Sequence, residues 1–283
     1  MSYLKTIPLI KKRVVFKGSQ TIKKNMVIPK GFDVVFEPGT QLNFVKGAFF
    51  MSWSPVQMNG TEKNKIIITS SDGTGNGFSV LQANKKSTLN YVIFDGLNTF
   101  SKEGWTLTGS VNFYESEVEI NNSLFTNNHC EDALNIVNSQ FKINQTTISN
   151  TFADGFDADF CEGEVIGSTF ENTGNDCLDF SGSNISIKDC NVKNAGDKGI
   201  SCGEQSAVSI ENVAIEGAVI GIASKDKSEV TITNITISDC QIGFLAFQKK
   251  PEYGPATIVV KNYKTKRTPL VKKEEKRSTI SLK

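Results

Sequence analysis

The chain has 283 residues, 31 Lys and Arg against 30 Asp and Glu, and 38% hydrophobic residues. A net charge of +1 excludes a uniformly basic nucleic-acid binder, and aromatic residues are not interleaved with the basic ones as single-strand binding requires, so no nucleic acid is expected. No apolar run reaches transmembrane length and residues 1–12 lack the apolar core of a signal peptide, so no membrane insertion is expected.

Residues 1–26 form a basic N-terminal cap. From Lys5 through Lys11, Lys12, Arg13, Lys17, Lys23, Lys24 and Lys30 there is no acidic residue. Such charges keep exposed strand edges from pairing. Residues 27–248 carry a coil repeat. Its first part is irregular: Val34 to Phe44 and Ile66 to Gly73 alternate apolar and polar positions around turn residues, and Asn98 to Gly109, with Trp105, is an insertion that either pads a turn or covers one face. From Ala133 onward the repeat is regular. Gly155, Cys177, Gly199, Gly221 and Gly243 follow it at intervals of 22, each trailed by a large apolar residue: Phe156, Leu178, Ile200, Ile222 and Phe244. Two further apolar columns run Phe125, Ile148, Phe170, Val192, Ile215, Ile237 and Ile120, Ile143, Val165, Ile187, Ile210, Ile232. Residues 249–283 are a basic C-terminal strand and tail.

A period near twenty with strand alternation and no helical signature means that each repeat buries its apolar face only by stacking on its neighbours. The chain is therefore expected to be all-β: a single-stranded right-handed parallel β-helix, a solenoid of about 22 residues per coil. Two residues beyond the Phe125 column stand Asn127, Asn150, Asn172, Asn194, Gly217 and Asp239. These residue types tolerate left-handed backbone angles, and stacked Asn side chains can hydrogen-bond along a column. This column resembles the asparagine ladder of the right-handed parallel β-helix repeat family, the pectate lyase/polygalacturonase-like superfamily. That resemblance implies a polysaccharide partner, secretion or cell-surface display, and membership of a larger surface protein. Cys130, Cys161, Cys177, Cys190, Cys202 and Cys240 fall in packing registers without paired spacing, so six free buried thiols are expected.

Chemistry is expected where the register turns acidic. Asp132, Asp154, Asp176 and then Lys198 stand in one column, and Asn135, Asp157, Asp179 and Ser201 in another, with Asp159 beside them. Because Leu134, Phe156 and Leu178 should point inward, the second column and Asp159 should face solvent. Adjacent coils lie about 4.8 Å apart, so stacked carboxylates raise one another's pKa unless a cation or shared protons intervene. Asp157, Asp159 and Asp179 are accordingly the expected Ca²⁺ ligands, and Asp157, Asp179, Asn135 and Trp105 the expected substrate contacts. Over about a quarter of the chain the motifs also resemble the polygalacturonases: Asp154-Gly155-Phe156-Asp157 is similar to their first acidic motif and Asn175-Asp176-Cys177 to their paired aspartates. The resemblance gives Asp154 and Asp176 the base role, but puts Asn175 at the general acid's place, Lys198-Gly199-Ile200-Ser201 where a histidine motif belongs, and Ala223-Ser224-Lys225 where an arginine triplet belongs. A lyase retains more of what is present, with Lys198 or Lys225 as the base removing the proton beside a uronate; Lys198 also fits a simple counter-charge to the aspartates. His129, the lone histidine, lies in a turn. The alternative without catalysis is a surface adhesion, glycan-binding or structural module.

Overall fold

The computed structural model describes residues 12–102 and 104–283. Among them there is no helix: short strands succeed one another around a coil and pair in parallel with the coil below and the coil above. Eleven strands build one wall, here called the front sheet, and a 20-stranded sheet builds the remaining walls. Left-handed residues turn the chain at one corner of each coil. Asn127, Asn150, Asn172, Asn194 and Asp239 all have φ between 52° and 56° within their respective coils, and Gly217 has 74°.

The repeat registers are those of the sequence. Phe125, Ile148 and Phe170 are stacked partners in adjacent coils, as are Val192, Ile215 and Ile237. The Ile120 column continues the same way to Ile232. All of these side chains are buried. In the early coils the interior is filled by aromatic rings: Phe16 stacks on Phe36 at 4.5 Å, Phe50 on Phe78 at 4.2 Å and Phe94 on Phe125 at 5.0 Å. Higher coils fill the same space increasingly with Ile and Val, whose branched side chains suit a pleated surface, with Phe156, Phe170, Phe180 and Phe244 among them.

The asparagine ladder is formed. Asn172 donates to Asn150 at 3.3 Å, and Asn194 to Asn172 at 2.9 Å. Two more ladders stand at other positions of the coil. One runs from Asn59 through Asn90 and Asn121 to Asn144, at 2.8–3.0 Å. The other runs from Asp189 through Asn212 and Asn234 to Asn262, at 3.0–3.2 Å. At a further corner, serine hydroxyls accept the backbone N–H of the coil below: Ser139 from Ser116, Ser206 from Ser183 and Ser228 from Ser206. Backbone groups that the turns would strand are thus satisfied along the axis.

The basic ends carry coil strands of their own. Lys12–Phe16 pairs with Phe32–Phe36 across the 26/27 boundary, and Thr257–Lys266 pairs with Glu229–Ser238 across the 248/249 boundary. Lys5 and Lys11 lie outside the described residues. All six cysteines are free and buried.

The insertion at 98–109 is a cover. Phe100–Lys102 and Trp105–Leu107 form an antiparallel pair over the outer side of the front sheet. Phe100 meets Phe49 edge-on at 4.9 Å, within a small apolar cluster of Phe49, Met51, Leu81 and Phe100 against which Trp53 and Leu107 pack.

Candidate functional site

The outer side of the front sheet carries three side-chain columns. Backbone pairing puts Asp132 beside Asp154, Asn135 beside Asp157 and Asp179, and Asp159 beside Ser181. The acidic residues therefore meet as the repeat implies, but they do not stand open to solvent. Asp132 and Asp176 are each only 2% exposed and Asn135 6%, while Asp154, Asp157, Asp159 and Asp179 are partly buried. Coil spacing brings the columns so close that each side chain shields the one beneath it.

Asp132, Asp154, Asp157 and Asp176 each accept hydrogen bonds within the site. The Asn135 amide donates to Asp132 Oδ2 and to Asp157 Oδ2, both at 3.2 Å. Asp154 Oδ1 accepts the Asp176 backbone N–H at 2.8 Å and the Asn175 side-chain amide at 2.6 Å. Asp176 Oδ1 accepts the Lys198 backbone N–H at 2.9 Å and faces its ammonium at 3.3 Å. Lys198 also pairs with Asp197. Lys225 reaches down two coils to Asp179, Nζ to Oδ1 3.6 Å. It can do so because Gly203 lies beneath its stem: a Cβ there would stand 2.7 Å from Lys225 Cε. Two polar atoms of this column, Asp179 Oδ1 and Ser201 Oγ, are buried without a hydrogen-bond partner.

These surroundings set the protonation states. Burial, reinforced by Asp132, Asp159, Asp179 and Asp154, pushes Asp157 up to about 10. Burial also raises Asp132 to about 7 and Asp176 to about 6, the latter against the pull of Lys198. Asp154 and Asp159 are raised as well, by burial first. Burial pulls the Lys198 ammonium down, but Asp176 and Asp197 outweigh it and the net shift is upward. At neutral pH Asp157 thus holds a proton, while Asp176, beside the Lys198 ammonium, is largely ionised.

Two expectations change on this geometry. Asn135, Asp157 and Asp179 form a half-sheltered strip of the front sheet rather than an open face. Lys198 is held charged between two carboxylates, which makes it a counter-charge and a poor base, and Lys225 lies across Gly203 as the ion-pair partner of Asp179. Among the described residues no three His, Cys, Asp or Glu groups are gathered on a metal position. Asp157 turns to the Asn135 amide and Asp179 to Lys225, while Asp159 stands two residues along the strand from Asp157. His129 is exposed in its turn, its backbone N–H bonded to Leu97. Trp105 lies on the cover, 58% exposed, beside Trp53, Leu81 and Tyr114. The repeat does not reveal Trp53 and Tyr114, because the early coils vary in length, nor Gly203 as the clearance for Lys225.

Stacked parallel coils and corner ladders define a right-handed parallel β-helix. A family model described as a right-handed beta helix region matches residues 177–262. No curated protein matches by sequence. Among solved structures, a double mutant of the periplasmic alginate epimerase AlgG is 10% identical with a TM-score of 0.60, over 94% of this chain and 78% of that one. The Agl-KA catalytic domain is 10% identical with a TM-score of 0.58, over 96% and 62%. The enzymatically active domain of bacteriophage CBA120 tailspike protein 2 is 10% identical with a TM-score of 0.50, over 90% of this chain and 39% of that domain.

Proposed function

We propose that the protein binds and acts on a polysaccharide along the front sheet, as a lyase or hydrolase of an acidic glycan, with Asp157 as the proton donor. The observation that carries this reading is a pair of carboxylates in adjacent coils with different partners: Asp157, which accepts from the Asn135 amide, and Asp176, which faces the Lys198 ammonium. Asp157 is pushed to about 10 while Lys198 sustains charge on Asp176 one coil above Asp154. A carboxylic acid that keeps its proton at neutral pH can deliver it to the leaving oxygen, and a nearby ionised carboxylate can take one from water or from the sugar. The acid role rejected at Asn175, an amide, thus moves to Asp157. The named activities of the structural neighbours, an alginate epimerase and an enzymatically active tailspike domain, support a glycan as substrate. The periplasmic neighbour supports the secreted or surface location proposed with it; no described helix is long and apolar enough to cross a membrane.

One observation favours the non-catalytic module: Lys198 and Lys225 each neutralise a carboxylate, as a structural ladder would require. Product release from neutral and uronic-acid polysaccharides separates the readings. Reducing ends without unsaturated uronate indicate hydrolysis, and unsaturated uronate indicates elimination. Either product should be lost in Asp157→Asn and in Asp179→Asn. Binding without product across the panel would refute the catalytic reading in favour of the module.

A further inference from the structure

The cover and the early coils enclose a cleft of about 520 Å³ lined by Trp53, Leu81, Gln82, Trp105, Leu107 and Tyr114. Its floor is one outward column: Leu81 and Tyr114 are partners in adjacent coils, and Trp53 precedes them in the coil below. Continued upward, that column passes Val137 and arrives at Asp159, so the cleft and Asp159 lie on one line along the axis. Tyr114 to Asp159 is two coil steps, about 10 Å.

Stability does not account for these rings. The cover is anchored by Phe100 and Leu107, whereas Trp105 is 58% and Tyr114 39% exposed. Burying an aromatic ring is the usual return on carrying one, and here two rings are left facing a concavity. The rim is polar: Gln82 donates to Glu115 at 3.0 Å. Flat rings beside amide and carboxylate groups match a pyranose, which offers C–H bonds on its faces and hydroxyls around its edge.

We propose that this cleft is a remote sugar subsite, in which Trp105 and Tyr114 stack on one pyranose ring of a glycan chain that continues up the column to Asp159, with Asp157 in the next column beside it. The proposal rests on the polysaccharide reading and adds direction and length: the chain lies along the solenoid axis, and a glycan too short to span the coils between Tyr114 and Asp159 engages only one end. Trp105 here is a binding residue and Asp157 the reacting one, so their substitutions have different signatures.

The chain has two tryptophans, and both line this cleft, so intrinsic tryptophan fluorescence reports on it directly. The experiment titrates the inactive Asp157→Asn protein with dimer, tetramer and hexamer of each uronic-acid and neutral glycan, following calorimetric binding and tryptophan emission together. Expected is a hexamer that binds with a change in emission, and an added Trp105→Ala that weakens hexamer binding about tenfold while leaving dimer binding and the thermal midpoint unchanged. Trp105→Phe should recover most of the affinity. Calorimetric binding with unaltered emission, or equal hexamer affinity in Trp105→Ala, overturns the subsite and leaves the polysaccharide reading standing. Absence of calorimetric binding to every glycan overturns both.

Discussion

The protonated Asp157 should make the protein more stable when its carboxyl is removed. In the unfolded chain this group has the ordinary value of 3.8, and in the fold it is raised to about 10. Between those values the folded state binds a proton that the unfolded state sheds, so the contribution of the group is fully present at about pH 4 and is lost as pH rises toward 10. At pH 7 the interval is about three units, a ceiling of ~4 kcal/mol at 1.36 kcal/mol per unit. Asp132, bridged to Asp157 through the Asn135 amide, shares the burden, and about half the ceiling is expected, ~2 kcal/mol. Asp157→Asn retains an oxygen for the Asn135 amide and removes the titration. Its advantage should be near zero at pH 4 and grow with pH. For 283 residues an unfolding entropy of ~2.1 cal/mol/K per residue turns 2 kcal/mol into a midpoint rise of about 3–4 °C. Thermal unfolding followed by circular dichroism from pH 4 to pH 8 reads this directly. A difference independent of pH, or a variant less stable than the parent at pH 8, would refute the assignment of the proton to Asp157.

Lys198→Met should cost about 3 kcal/mol at pH 8 by leaving Asp176 charged and buried, and much less below pH 6, where Asp176 takes up a proton; adding Asp176→Asn should recover most of the loss in denaturant titrations. Asn172→Ala loses two ladder hydrogen bonds and puts Ala at φ 56°; about 1–2 kcal/mol of destabilisation is expected, with Asn172→Gly costing less because the backbone angle is free. The buried thiols, with Cys130, Cys161 and Cys177 raised to about 12 by burial, should ignore a thiol reagent in the folded protein and react once it is unfolded. Removing Ca²⁺ with a chelator should leave the melting midpoint unmoved, and a rise of several degrees on adding Ca²⁺ would show that the carboxylates rearrange around the ion.

The coil was legible because its signal is one-dimensional. Phe125, Ile148 and Phe170 recur at fixed intervals, and strand pairing in a solenoid has no choice of partner beyond the next coil. The Asn150, Asn172 and Asn194 corner was visible for the same reason. The Asn90 and Asn212 ladders recur at unequal intervals, because coils of different length intervene, and so stood out less. The candidate site was half legible. Column membership placed Asp154, Asp157, Asp176 and Asp179 together, yet alternation says only which wall a side chain leaves, not how deeply neighbours cover it, and so it misjudged Asn135. The descent of Lys225 to Asp179 depends on the empty space over Gly203, a relation between residues in different columns that no single column contains. The Trp53, Trp105 and Tyr114 cleft arises from an insertion and from coils of unequal length, where periodicity gives no purchase.

The strand Asp154–Asp159 is the sixth of the eleven in the front sheet. In a stack whose repeats touch only their neighbours, opening begins at the ends and must travel inward coil by coil. The acidic strand is thus the part of the wall most distant from fraying at either end, and its amide hydrogens should be among the last to exchange with deuterated solvent. A terminal coil could loosen, or be replaced by another sequence in the course of evolution, while the spacing of the carboxylates stayed the same.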